Sequence, residues 1–156
     1  MRPRSPITAI RDGRYRLLIG DQERNLLRGL CGELHELLGR DDEMVSRLYP
    51  AAYRDDDEAA AEFDRIVRPD VRRARLAAVD LVAQTIDEEL IDQEHAEAWC
   101  GALNDLRLVL AESLGVTEDV YEDGIDPRDP RAPQLALYGW LTWLQSAVVE
   151  ALASRL

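Results

Sequence analysis

Apolar residues recur every three or four positions through most of this chain, and at alternate positions only near its start. The first period marks a helix face and the second a strand. The stripe around which the rest is organised is Ala96, Trp99, Leu103, Leu106, Leu110 and Leu114. It predicts a single helix of about six turns over 92–114. Asp92 is a good N-cap, Glu94 and Glu97 stand where the helix dipole favours acids, and Gly115 suits the left-handed position after the last turn. Leu108 and Val109 fall outside the stripe. A helix apolar on most of its circumference is expected to be covered on several sides.

The other elements are arranged around it. Ile7–Ile10 and Tyr15–Ile19 flank Asp12-Gly13, the favoured pair of a type I′ turn, and predict a hairpin over 7–19. A lone hairpin is marginal, so it must lie against the helices or pair elsewhere. Asp21 is read as the N-cap of a helix with the stripe Leu26, Leu27, Leu30, Leu34, Leu37 and Leu38, ended by Gly39. A short helix is expected around Met44–Leu48, stopped by Tyr49-Pro50. The acids Asp55 to Glu58 open a helix that continues through Phe63 and Val67, and Pro69 starts the next, with Val71, Ala74, Ala78, Val79, Val82 and Ile86 on one face. Asp87–Ile91 reads as a break. Val116–Gln134 holds three Pro and one Gly, so 116–132 is expected to be a surface loop. Pro133 then begins a last helix reaching about Ser154, with Leu137, Trp140, Leu141, Leu144, Val148, Ala151 and Leu152 on its main face. The expected fold is mainly α: one domain over 1–156, a helical bundle from 21 onwards with a small N-terminal β-hairpin.

Charge narrows the partners. The 156 residues carry a net charge of −12, and every basic side chain is Arg. Such an excess argues against direct binding to nucleic acid, which needs a basic face, and favours basic protein partners. Two islands, 1–20 and 65–76, each sum to +4. Arg72 and Arg73 in the second are candidate partner contacts, although solvated arginines on a helix face are the plainer expectation. No apolar run is long enough to span a membrane and the N-terminus lacks a signal-peptide core, so a cytoplasmic protein with reduced thiols is expected.

Candidate chemistry is sparse. Cys31 lies between Gly29 and Gly32, and Cys100 precedes Gly101. Glycine inside a helix costs roughly 1 kcal/mol relative to Ala, a cost that usually reflects close approach of another backbone. Close approach would also permit a reversible Cys31–Cys100 disulfide. Packing as small hydrophobes is the simpler alternative. His35 and His95 have acidic neighbours, but at spacings that do not share a helix face, and Asp55–Glu58 lacks the glycine and bidentate-acid spacing of a calcium loop, so none forms a metal motif. No nucleophile elbow or phosphate loop is present, and neither enzyme activity nor a cofactor is expected. Arg107 sits at the edge of the central stripe, and an interior ion pair with a carboxylate, or bonds to chain carbonyls, are its expected partners. Asn104 and Asp105 lie on other faces of that helix. Trp143 stands about 120° from the main face of the last helix, either filling a second core contact or contributing to a partner surface.

Several segments together resemble one family. They are Leu48-Tyr49-Pro50 with Ala52-Tyr53, Ala96-Glu97-Ala98-Trp99, the run Ala102 to Leu110 containing Asn104-Asp105-Leu106-Arg107, Leu114 to Asp119, and Tyr138 to Gln145 with Trp140 and Trp143. The combination is similar to the actinobacterial domain-of-unknown-function 2017 family, over nearly the whole chain. That resemblance implies likeness to oxidative-stress transcriptional regulators thought to act through an alternative sigma factor and cysteine-biosynthesis genes. It also implies a rival, because genes of the family often lie beside a Clp protease adaptor. The family motif as a rule has Leu after its Trp, where this chain has Cys100, so a disulfide switch is not implied by the resemblance. The first expectation is a non-enzymatic regulator that binds a sigma factor or RNA polymerase, with Cys31 and Cys100 as a redox pair. The second is an adaptor or scaffold for Clp-type proteolysis that uses Trp143 and the 116–134 loop. A third is a small-ligand binder or enzyme using a pocket between hairpin and bundle. Formation of a homodimer stays open.

Overall fold

A computed structural model describes residues 4–49, 55–115 and 125–155. Strands β1 (Ile7–Ala9) and β2 (Tyr15–Leu17) pair antiparallel, with Ile7 opposite Leu17 and Ala9 opposite Tyr15. The turn between them is not the expected type I′. That turn needs positive φ at both central residues, and here only Gly13 has it (+83°). The loop is longer, closed by Ile10 N–H donating to the Arg14 carbonyl at 2.9 Å. The hairpin is also not alone. Leu90–Ile91, expected to be a break, forms β3 and pairs antiparallel with β2, which becomes the central strand.

Helix α1 spans Asp21–Gly39. Gly20, not Asp21, is its N-cap, and the Glu23 carboxylate turns back to accept from the Gly20 N–H at 3.4 Å. Gly39 does not take the left-handed position either. Asp41 does, at φ +53°, and its carboxylate is held by Arg68 Nη2 at 2.7 Å. Asp42 caps a short 3₁₀ helix, Glu43–Leu48, by accepting from the Met44 N–H at 3.0 Å.

Helix α2 runs unbroken over Asp57–Thr85, with Pro69 inside it, where two helices were expected. Proline removes one amide donor from a helix interior. Pro69 and Arg65, whose carbonyl loses that donor, are both exposed, so water can serve the carbonyl and the helix continues. Helix α3 (Gln93–Leu114) follows its signals closely: Asp92 accepts from the His95 N–H at 2.8 Å, and Gly115 ends it at φ +64°. Helix α4 is Ala132–Ala153, with Pro133 in its first turn. Residues 116–124, which hold most of the expected loop, lie outside the described part.

Helix α3 packs against α4, α2, the 3₁₀ helix and α1, while α4 also rests on β1. Trp99, Ala102 and Leu103 on α3 are fully buried, together with Leu27, Leu34 and Leu38 of α1, Val79 and Val82 of α2, and Leu141, Leu144 and Val148 of α4. The architecture is mainly α: a helical bundle with a small N-terminal antiparallel sheet. Among the described residues no helix is long and apolar enough to cross a membrane.

Candidate functional site

The polar groups buried around α3 come first, because burial makes each of them costly unless it is paired. Trp99 is wholly enclosed, and its Nε1 donates to Thr85 Oγ1 at 2.8 Å. The Thr85 hydroxyl in turn donates to the Leu81 carbonyl at 2.8 Å, so the end of α2 is tied to the start of α3. Asp105 is also enclosed. Arg75 Nη1 from α2 donates to its Oδ1 at 2.9 Å, and Oδ2 has no partner. Burial pushes the Asp105 carboxyl up to about 6, against the pull of Arg75. The interior ion pair expected at Arg107 is therefore at Asp105.

Among the described residues Arg107 meets no carboxylate and no chain carbonyl. It is half-buried and bonds to α4 side chains: Nε to Thr142 Oγ1 at 3.0 Å, Nη1 to Gln145 Oε1, and Nη2 towards the Tyr138 hydroxyl at 3.5 Å. Its guanidinium also lies 5.4 Å from the Tyr138 ring centroid. The reason is composition, since α4 has no charged residue from Ala132 to Val149. Asn104 and Trp140 are half-buried, and Trp140 packs against the core.

Cys31 is part of the core and Cys100, half-buried, packs against it. Both are free thiols. Burial pushes Cys31 up to about 11 and raises Cys100 as well. The thiolate is the reactive form, so both are held in their slow state at neutral pH. The glycines beside them do not mark close backbone approach: a Cβ added at Gly29, Gly32 or Gly101 would meet nothing within 4 Å. Gly29 and Gly32 simply lie on the exposed side of α1.

On the surface, Trp143 is 41% exposed. It takes the outward alternative of the two that its position allowed. Arg73 is well exposed and paired with Asp70 at 3.1 Å, while Arg72 is half-buried and donates to the Gly39 carbonyl. Arg72 thus serves to fasten α2 to the end of α1. His35 Nδ1 lies 3.1 Å from Asp80 at the surface, and among the described residues no three potential metal ligands come together.

A bundle built on one central helix, with buried polar ties between its helices, defines a class of small helical proteins. The profile of the domain-of-unknown-function 2017 family (DUF2017) matches residues 1–152, and the chain belongs to that family. It is similar to the oxidative stress regulator AosR of Mycobacterium bovis and of Mycobacterium tuberculosis, at 28% identity over 91% of this chain and 84% of theirs. No solved structure matches it.

Two features of the site were missed in the sequence. The Arg75–Asp105 tie had one legible signal: Asp105 lies on a helix expected to be covered on several sides. The burial of Arg24 in α1 had none, because two of its three carbonyl partners, Ile86 and Glu88, are distant in the chain.

Proposed function

We propose that this protein is a regulator of the oxidative-stress response that works by binding another protein, a sigma factor or RNA polymerase, and carries out no catalysis. The observation that carries the proposal is the likeness, over nearly the whole chain, to regulators named for oxidative stress. Two features of the molecule support protein binding as its mode. The net charge of −12 suits a basic partner surface and repels nucleic acid. Trp143 stands half out of a helix face without charge, the kind of side chain that anchors an interface.

Cys31 and Cys100 are the groups through which an oxidant would act. Formation of a disulfide takes two electrons and two protons from the thiols and reduces one hydrogen peroxide to two waters. Burial of both thiols makes that step slow, with the less buried Cys100 reacting first.

The test is affinity capture with the full chain from cells treated or not with peroxide, read by mass spectrometry. Recovery of sigma factor or RNA polymerase, altered by peroxide for the wild type and unaltered for Cys31→Ser, is the expected result. Recovery of Clp components without either would replace this proposal with the adaptor role. Full peroxide dependence in Cys31→Ser would remove the thiol pair from the mechanism.

A further inference from the structure

Eight arginines among the described residues meet a carboxylate; Arg28 meets Asp87 at 2.6 Å, Arg65 meets Glu62 at 2.7 Å, and Arg68 meets Asp41 at 2.7 Å. Three arginines lining one groove have not. The groove, about 440 Å³, lies where β2 runs into α1 and is bordered by Arg4, Arg16, Leu18, Gly20, Arg24 and Glu89. Arg4 and Arg16 are exposed and make no side-chain hydrogen bond or ion pair among the described residues.

Arg24 is the more telling of the three. It is only 9% exposed, so its charge is almost fully removed from water. A charge so buried normally has a counter-charge. Its Nε donates to the Ile19 carbonyl at 3.0 Å, and its Nη1 donates to the carbonyls of Ile86 and, at 3.0 Å, Glu88. These bonds fix the guanidinium rigidly but leave its charge uncompensated. Its Nη2 has no partner, yet is not among the atoms sealed from solvent. The amino end of α1 meets the groove at Gly20, which adds the positive end of a 19-residue helix. Two features work against an anion: Glu89 on the rim, and Glu23, whose carboxylate takes the Gly20 N–H. Three guanidinium groups against these two carboxylates still leave a net charge of +1, and their donors outnumber what a single carboxylate accepts, as the oxygens of a phosphomonoester would not. The volume is that of a small-molecule site and exceeds what a bare phosphate fills.

We propose that this groove binds a small organic phosphomonoester, its phosphate held by Arg4, Arg16 and the free Nη2 of Arg24 and its apolar body against Leu18. Guanidinium suits this role because its planar fork donates two parallel bonds to phosphate oxygens. The preformed position of Arg24 removes one ordering cost from binding.

Phenyl phosphate is a suitable probe, titrated calorimetrically into the full chain at low chloride, with benzoate as the monoanion of similar body. Binding with a Kd of about 1 mM or tighter is expected, weakened about tenfold by Arg16→Gln and by Arg4→Gln. Arg11→Gln removes an arginine that is likewise exposed and unpaired among the described residues and does not line the groove, and is expected to change affinity less than about twofold. Neither glutamine variant of the groove touches a structural bond, so both are expected to fold, whereas Arg24 variants lose three ties. Absence of binding at about 10 mM phenyl phosphate, or an equal loss in Arg11→Gln, would overturn the site. Benzoate bound as tightly as phenyl phosphate would overturn the phosphate assignment, and a hexaglutamate peptide bound more tightly would overturn the small-molecule class.

Discussion

Asp105 carries a charge that its surroundings resist. One oxygen has Arg75 and the other has no partner, and burial outweighs the guanidinium. Its carboxyl is raised from an ordinary 3.8 to about 6. Between those values the folded protein holds a proton that the unfolded chain has already released. Stability therefore falls as pH rises through that window, and the penalty is complete above about 6. Asp105→Asn keeps an acceptor for Arg75 and removes the charge. Urea unfolding of both proteins should show the wild type losing on the order of 2 kcal/mol relative to the variant from pH 4 to 6.5. Parallel curves would contradict this account. The thiols give a second prediction at this scale. Iodoacetamide at pH 7.5 should label Cys31 more slowly than Cys100, and both far more slowly than in urea, as read by peptide mass spectrometry. A native Cys31 that reacts at its unfolded rate would remove the burial argument. Which residues matter around α3 was legible from its apolar circumference. Which partner each would meet was not, because Arg107 could be placed at the edge of the core but its neutral α4 partners depend on how two helices are rotated against each other.

Helix α3 shows when local signals suffice. Asp92, the stripe and Gly115 agree, and the helix starts and stops where they say. Elsewhere tertiary context decides. A two-residue strand such as Leu90–Ile91 is too short for any period to show, and it exists because β2 offers an open edge. Pro69 carries the usual signal of a helix start, yet the apolar faces on both sides of it continue one helix. Its exposure makes Pro69→Ala informative: restoring the missing amide should stabilise the protein by about 1 kcal/mol or more in thermal or urea unfolding. A loss would mean that the helix needs the proline's rigidity. Gly29→Ala and Gly32→Ala should each stabilise by roughly 0.5–1 kcal/mol, because a Cβ there meets no neighbour. Destabilisation at either would restore the close approach that the sequence suggested.

At the scale of the whole molecule, charge is unevenly placed along the chain. The chain is strongly acidic, yet the first eighteen residues of α4 carry no charge, and Trp143 on that helix is 41% exposed. The neutrality of that helix could be read from the sequence. The outward placement of Trp143 could not, since a second core contact was open to it until the bundle was assembled. In the proposed function the oxidative-stress setting rests on the likeness to the mycobacterial regulators, and Trp143 is the contact it assigns. The most direct measurement is capture of the partner by the full chain carrying Trp143→Ala, with thermal unfolding as a check on folding. The account predicts a protein that still unfolds cooperatively, with a midpoint lowered by no more than a few degrees for the lost half-buried area, and binding weaker by at least about tenfold, as expected for loss of an interface anchor. Undiminished capture by a folded Trp143→Ala protein would contradict it.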